Sequence, residues 1–232
     1  MRSAPEVVDA AIQLVRRDYA TLVTVSAVAF TPLVLLAPWI QPLPALVVNI
    51  LGALCGGYAE ACLLLGLAVA YRGEPLPTVG AQLRAGSPVA GRVIRIALAR
   101  NVATWIGLIF LIVPGLFAYA HYLLATPAAA LEGLKVRPAI TRGAKLAKGE
   151  YRRLVLVAGL SGLLYIVLLW GAMVLAAAVT RSEAIAYLAG ISLQIALTPV
   201  IVAITVLLYF DVRERREGLD LEVALRSLGA VP

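Results

Sequence analysis

Glu60 is the residue of this chain whose type and position most strongly suggest chemistry. It lies near the middle of an apolar segment at 44–71, where an ionised carboxylate is costly and usually functional. Gly52 and Gly56 precede it at spacings of four, and small residues at that spacing let a second helix approach closely. We therefore expect Glu60 to face a helix contact or a cavity rather than lipid. It is either a proton-linked or polar substrate site, or a carboxylate paired with a neighbour that fixes packing.

Three further polar residues, His121, Arg100 and Asn49, are candidates for the same intramembrane site. His121 is the only histidine, and a lone histidine cannot make a metal site. Its depth in the membrane favours it over Arg100 as the partner of Glu60, and the alternative is a histidine that is hydrogen-bonded inside the bundle. Asn49 lies nearer the far end of the segment that carries Glu60, where it is expected to cap or pack.

No motif for catalysis, a cofactor or a metal accompanies these residues. The sequence contains no Gly-rich phosphate loop, no paired metal-ligand motif, and no Ser/His/Asp set that leaves His121 aside. Cys55 and Cys62 lie seven residues apart on one helix face, two turns from each other, so they cannot pair and are interpreted as packing residues. We therefore predict a protein that is not an enzyme and has no cofactor.

The composition predicts how these residues are positioned. The chain is 62% hydrophobic and 14% charged, whereas soluble domains have about 45–50% apolar and about 25% charged residues. The apolar residues form long runs, and about 20 of them in a row cross a bilayer core. The predicted fold is all-α, a polytopic integral membrane helix bundle that occupies 1–232 as one domain. Its six predicted membrane segments are 19–40, 44–71, 89–113, 115–131, 154–179 and 184–210.

Three other segments are predicted to lie outside the hydrocarbon core. Residues 1–18 form an amphipathic interfacial helix or the cytoplasmic end of the first span. Residues 135–153 carry seven basic residues and one acid, which is typical of an interfacial helix on an anionic leaflet. Residues 211–232 form a charged cytoplasmic tail.

The stretch 101–131 has no Asp, Glu, Lys or Arg in 31 residues, and Pro114-Gly115 near its middle predicts a helix break. The stretch is expected either to cross the membrane twice or to form a re-entrant hairpin. A single tilted helix is disfavoured because both flanks are basic. If the stretch enters and leaves on the cytoplasmic side, 19 of the 20 Lys and Arg residues are cytoplasmic, Arg181 being the exception.

This charge distribution predicts a multi-pass protein of the cell membrane with both termini in the cytoplasm. The net charge of +7 comes from residues at the ends of apolar runs, so anionic lipids, not nucleic acid, are the expected partners. The predicted headgroup-binding basic rim consists of Arg92, Arg95, Arg142, Lys145, Lys148, Arg152 and Arg153.

Three stretches together carry a resemblance to a known family. They are LIVPGLFAYAHYLLATPAAALEG (111–133), AITRGAKLAKGEYRRL (139–154) and LYFDVRERREGLDLE (208–222). In this order they resemble the membrane domain found in some bacterial glycerophosphoryl diester phosphodiesterases and in stand-alone bacterial and archaeal membrane proteins. In the fused members a separate soluble domain hydrolyses the substrate with histidine and carboxylates around a metal. The resemblance implies a stand-alone member without that domain. It also implies a departure from the family at Gly143, where a serine is frequent.

Three functions remain open at this stage. The first is a non-catalytic module that handles lipids or amphiphiles, or acts as a membrane scaffold. The second is a small transporter or permease built on Glu60 and a discontinuous helix. The third is an assembly protein that docks a cytoplasmic partner through the tail at 211–228. A homo-oligomer is compatible with each of them.

Overall fold

The structure is a computed structural model that describes residues 4–39 and 45–217. Every regular element in these two ranges is helical, which confirms the all-α prediction. The α-helices are α1 (Ala4–Arg16), α2 (Tyr19–Leu36), α3 (Ala45–Tyr71), α4 (Val79–Phe110), α5 (Ile112–Leu123), α6 (Ala125–Leu131), α7 (Val136–Ala147), α8 (Tyr151–Thr180) and α9 (Glu183–Glu217). One turn of 3-10 helix, Ala37–Trp39, follows α2.

Four of these helices, α2, α3, α8 and α9, contain stretches long and apolar enough to cross a membrane. The stretches are Tyr19–Leu36, Val47–Tyr71, Tyr151–Thr180 and Glu183–Glu217. Helix α8 has the most lipid-compatible surface, because large apolar side chains such as Leu160 and Val179 are 68% and 75% exposed. An exposed apolar face of this length suits contact with lipid tails. Helix α9 continues to Glu217, and the rest of the predicted tail, 218–232, lies outside the described residues.

Helices α3 and α4 pack against each other in antiparallel directions with little space between them. A Cβ added to Gly57 would lie 2.8 Å from Ile94, and one added to Gly86 would lie 2.3 Å from the sulfur of Cys62. As the position on α3 rises from 57 to 62, the facing position on α4 falls from 94 to 86, which fixes the antiparallel direction. Small residues at such contacts let the two backbones approach closely. Both cysteines are buried and free, as expected.

Helices α4 and α5 form a hairpin whose turn is at Leu111 and not at Pro114-Gly115. Leu111 is extended, with φ −168° and ψ 151°, and its N–H donates to the carbonyl of Gly107. Pro114 is the third residue of α5, in the first turn, where a helix does not need the missing N–H. The two helices touch where a Cβ on Gly107 would lie 2.6 Å from the Cα of Gly115. The helix break predicted at Pro114-Gly115 is therefore not found there, and the chain turns three residues earlier, at Leu111.

The predicted single segment 115–131 is two helices, because the chain bends at Leu124 between α5 and α6. Residues 125–130 of α6 are all buried, which places α6 inside the protein. Helix α7 packs on α6 through Gly143, whose added Cβ would lie 2.7 Å from the backbone nitrogen of Ala125. The apolar face of the basic helix is therefore covered by protein and not by lipid.

Helix α1 is separated from α2 by a turn at residues 17–18, so it is a helix of its own and not the end of the first span. Its residues Val7, Ala11 and Val15 are fully or almost fully buried, at spacings of four. They pack in the main core, chiefly against α9, while Ile12 on another face is 48% exposed. The N-terminal helix thus docks on the bundle.

Candidate functional site

Glu60 and Arg100 form a two-bond ion pair between α3 and α4. Arg100 Nη1 donates to Glu60 Oε1 at 3.2 Å, and Nη2 donates to Oε2 at 3.1 Å. The side chains are only 11% and 13% exposed, so both charges have left water. Parallel bonds of this kind are among the strongest side-chain hydrogen bonds. The pair neutralises the carboxylate that the sequence placed within an apolar helix.

Helix α5 adds an aromatic ring to this ion pair. The guanidinium carbon of Arg100 lies 5.5 Å from the ring centroid of Tyr119, within the range of a cation–π contact. Within the described chain, Arg100 Nε and Thr104 Oγ1 are buried without a hydrogen-bond partner. These residues are four apart on α4 and therefore share a face. Buried polar atoms of this kind commonly bind an internal water where space allows.

The preference for His121 as the partner of Glu60 is wrong in this structure. His121 Nδ1 lies 3.1 Å from the hydroxyl of Tyr151, the first residue of α8, and its ring meets Tyr122 edge-on. Arginine is the longer side chain and reaches Glu60 from a neighbouring helix. His121 instead matches the second possibility, a histidine hydrogen-bonded inside the bundle. Asn49 is eleven residues from Glu60 on α3, about 16 Å along the helix, so it belongs to another region.

A second set of polar contacts joins the ends of α6, α7 and α9, and we name it the Glu132 cluster. Both oxygens of Glu132 accept from Arg142, at 3.2 and 3.0 Å from Nε and 3.1 Å from Nη2. The buried hydroxyl of Tyr209 also donates to Glu132. Arg213 Nε lies 3.9 Å from the same carboxylate. Glu132 is therefore the centre of the contacts that attach α9 to the α6–α7 connection.

Glu217 completes the Glu132 cluster from the last turn of α9. Its carboxylate pairs with Arg142 Nη1 through one oxygen and with Arg213 Nε, at 2.9 Å, through the other. Hydrogen bonds to Glu217 and to Glu132, opposed by partial burial, raise the pKa of the Arg142 guanidinium. Arg142 is thus a permanent cation that two carboxylates share. Glu132 accepts from two nitrogens of Arg142, Nε and Nη2, and Glu217 pairs with the third, Nη1.

An open groove of about 570 Å³ lies beside this cluster, and we name it the α7 groove. The groove is widely open to solvent and does not enclose a ligand. Arg137, Thr141 and Lys145 follow one another at spacings of four, so they form one face of α7. In the described chain Arg137 and Lys145 form no ion pair. The groove is lined by Glu132, Leu134, Arg137, Pro138, Thr141, Arg142 and Lys145.

The opposite face of α7 explains why these cations point away from the protein. Ala139, Gly143, Leu146 and Ala147 are buried, and they hold α7 against the bundle. A second cavity, of about 10 Å³, lies between α5, α8 and α9 beside Tyr119 and has room for at most one water. Neither cavity is lined by Glu60 or Arg100.

The remaining residues of the predicted basic rim have separate environments. Arg92 donates to the carbonyl of Gly133 at 2.5 Å, and Arg95 donates to a carbonyl of its own helix. Arg153 pairs with Asp211 and so joins α8 to α9. Three rim residues form neither an ion pair nor a side-chain hydrogen bond with any described residue: Lys145, Lys148 and Arg152. The rim is therefore partly structural and partly available to a ligand.

Sequence reasoning missed Glu132, Arg137 and Glu217 as members of a site. Glu132 is the first charged residue after the uncharged stretch 101–131 and stands three residues before the basic stretch 135–153. That isolated acid beside a basic run was the available signal. Glu217 gave no such signal, because its partners lie on α7 and its own helix. Among the described residues, no group of three His, Cys, Asp or Glu side chains could hold a metal ion.

No protein-family model, curated protein or solved structure matches this chain. The resemblance to the membrane domain of glycerophosphoryl diester phosphodiesterases therefore stays a prediction. The features of the described chain that bear on function are the Glu60–Arg100 ion pair, the Glu132 cluster and the α7 groove.

Proposed function

We propose that this chain is a non-catalytic integral membrane protein that binds anionic phospholipid headgroups in the α7 groove. The observation that carries the proposal is the pair of cations, Arg137 and Lys145, that line the groove without an ionic partner among the described residues. They are eight residues apart, about 12 Å along the helix, with the Thr141 hydroxyl between them. Cations at this spacing can contact a phosphate and the oxygens of the group attached to it.

The position of the groove in the chain supports a lipid as the ligand. Helix α7 lies between the buried helix α6 and α8, whose apolar face is exposed along its length. Basic side chains beside such helices attract anionic lipid, by about 1 kcal/mol for each Lys or Arg near the surface. A headgroup in the groove would leave its acyl chains free to remain in the bilayer.

We further propose that α4 and the α5–α6 unit each cross the membrane, giving six passes. The contact of Arg92 with Gly133 puts the two ends of the hairpin at one level. From Arg92 to the turn at Leu111 the chain runs 19 residues, about 28 Å as a helix. That length is close to the hydrocarbon core of about 30 Å. It favours two crossings over a re-entrant hairpin. With the N terminus in the cytoplasm, as the charge distribution predicts, such a topology would put the α7 groove on the cytoplasmic side.

Lipid binding is tested with the full chain in nanodiscs of phosphatidylcholine that contain a minor fraction of phosphatidylglycerol. Native mass spectrometry would measure retained lipid. The variant Arg137→Gln/Lys145→Gln should lose about tenfold or more of its preference for phosphatidylglycerol, because two cations contribute about 2 kcal/mol. The matched control is Lys148→Gln/Arg152→Gln, which removes two equally unpaired rim cations outside the groove. Equal losses in both variants would mean that lipid preference comes from diffuse surface charge and not from the groove, which would overturn the proposal.

The Glu60–Arg100 pair supports a structural role better than a transport site. Both oxygens of Glu60 are occupied by Arg100, and neither cavity described above reaches them. A carboxylate that binds protons or substrate needs a vacant oxygen or a mobile partner. We therefore assign the pair to holding α3 against α4 within the membrane.

A further inference from the structure

We infer that Glu217, in the last turn of α9, competes with an anionic headgroup for Arg142 at the α7 groove. Binding of either anion to Arg142 would displace the other. The inference rests on the proposed lipid binding. It concerns how that same site is regulated, because occupation of the groove would release the end of α9.

Arg142 provides the atoms for the exchange. It lines the groove, and its Nε and Nη2 are both held by Glu132. Only Nη1 of Arg142 contacts Glu217. A phosphate oxygen could therefore replace the Glu217 carboxylate on Nη1 while Glu132 keeps the guanidinium in place. Arginine recognises carboxylate and phosphate with the same planar donors, so the two anions are chemically equivalent ligands.

The contact that would be broken is the more exposed of the two carboxylate contacts. The side chains of Arg142 and Glu217 are 26% and 29% exposed, whereas that of Glu132 is 16% exposed. Exposed ion pairs gain little over hydration. An incoming headgroup also contacts Arg137 and Lys145, which Glu217 does not. The groove therefore offers a phosphate more cationic partners than it offers Glu217.

Release of Glu217 has a defined local consequence. Glu217 bridges α7 to Arg213 of its own helix, and Arg213 also approaches Glu132. Without the bridge, the last turn of α9 keeps its hydrogen bonds within the helix but loses its direct tie to α7. The backbone amides of residues 213–217 should then exchange with solvent more readily, as expected for a helix end with fewer tertiary contacts.

The first experiment compares Glu217→Gln with Glu214→Gln by native mass spectrometry in the phosphatidylglycerol nanodiscs. Glu214 lies on the same helix end but accepts from Tyr71, away from the groove, so its variant carries the same change of net charge. Glu217→Gln should tighten phosphatidylglycerol binding by about two- to fivefold, the amount expected from one exposed ion pair. Glu214→Gln should leave it within error of the wild type. Equal tightening in both variants would overturn the exchange.

The second experiment follows hydrogen exchange at 213–217 in the wild type. Exchange should rise when phosphatidylglycerol replaces phosphatidylcholine, and it should already be high in Glu217→Gln with no further rise. Inorganic phosphate added to phosphatidylcholine discs distinguishes a free anion from a lipid headgroup, and it should have no effect. An effect of free phosphate, or no rise with phosphatidylglycerol, would contradict the exchange. If Arg137→Gln/Lys145→Gln still weakens lipid binding in those cases, the proposed function survives without it.

Discussion

Arg100 on α4 donates to both carboxylate oxygens of Glu60 on α3, at 3.2 and 3.1 Å, in a part of the protein where the two side chains are almost removed from solvent. The same two helices meet through small residues, with Gly57 against Ile94 and Gly86 against Cys62. Close backbone packing brings the ion pair together, and the ion pair fixes which faces of the helices meet. Because α4 is the first arm of the α4–α5 hairpin, this contact also orients the hairpin.

Removing one partner of the ion pair should be costly. Arg100→Gln leaves the Glu60 carboxylate buried without its counter-charge, so the free energy of unfolding should fall by about 3–5 kcal/mol. The double variant Glu60→Leu/Arg100→Met, which removes both charges and keeps the volume, should recover most of that loss. Equilibrium unfolding in mixed micelles measures both. The control is Arg95→Gln, because Arg95 is exposed and bonds only within α4. Equal effects of Arg95→Gln and Arg100→Gln would show that the pair contributes nothing to stability.

The α4–α5 hairpin should be sensitive to a single methyl group at Gly107. A Cβ at this position would lie 2.6 Å from the Cα of Gly115, and a backbone atom cannot move aside as a side-chain end can. We expect Gly107→Ala to lower the unfolding free energy by about 1–3 kcal/mol. Gly91→Ala on the same helix is the control, since its Cβ would meet only Arg95 Nη2 at 3.9 Å. That substitution should be neutral or stabilising, because alanine favours a helix over glycine.

How far the sequence determined the fold is clear from the positions of the helices. Runs of apolar residues correctly predicted α2, α3, α8 and α9 as helices of membrane-spanning length. The hairpin turn was displaced because proline is tolerated in the first turn of a helix, so Pro114 marks a helix start as well as a break. An extended leucine at 111 has no signature in a run of similar apolar residues. The turn is fixed by the contact of Gly107 with Gly115, which is visible only in three dimensions.

The candidate sites were predictable only in part, because their contacts also depend on which helices meet in three dimensions. A lone carboxylate within an apolar helix indicated Glu60, because burial of a charge is costly wherever it occurs. The identity of its partner, Arg100, depends on how α3 packs on α4 and on the length of the arginine side chain. Neither can be inferred from the depth of a residue within its predicted membrane segment. Glu132 and Glu217 lie at helix ends, where acids are common, and they become a cluster only when α6, α7 and α9 meet.

The contact of α7 with α6 should not accept a side chain at position 143. A Cβ on Gly143 would lie 2.7 Å from the nitrogen and 3.0 Å from the Cα of Ala125, so α7 would have to move away from α6. Gly143→Ser should therefore lower the melting temperature in detergent and loosen the α7 groove. The expected loss is about 1–3 kcal/mol. Gly162→Ala, where nothing lies within 4 Å of the added Cβ, serves as the control. A serine variant as stable as wild type would mean that α7 can shift at little cost.

The turn of the hairpin should be accessible from the side of the membrane opposite the cytoplasm. If α4 crosses fully, Leu111, which is 67% exposed, reaches the far interface about 28 Å from Arg92. The measurement is labelling of Leu111→Cys with a membrane-impermeant maleimide, in a background where Cys55 and Cys62 are alanine, on intact cells and on inverted vesicles. The reference variants are Ser182→Cys, in the turn between α8 and α9, and Glu74→Cys, in the loop between α3 and α4. The predicted topology puts position 182 on the far side and position 74 on the cytoplasmic side. The variant at position 111 should be labelled from the same side of the membrane as the variant at position 182, because six passes put both turns on one side. If position 111 is labelled from the same side as position 74, or from neither side, the hairpin is re-entrant. The Glu60–Arg100 pair would then lie nearer the cytoplasmic surface.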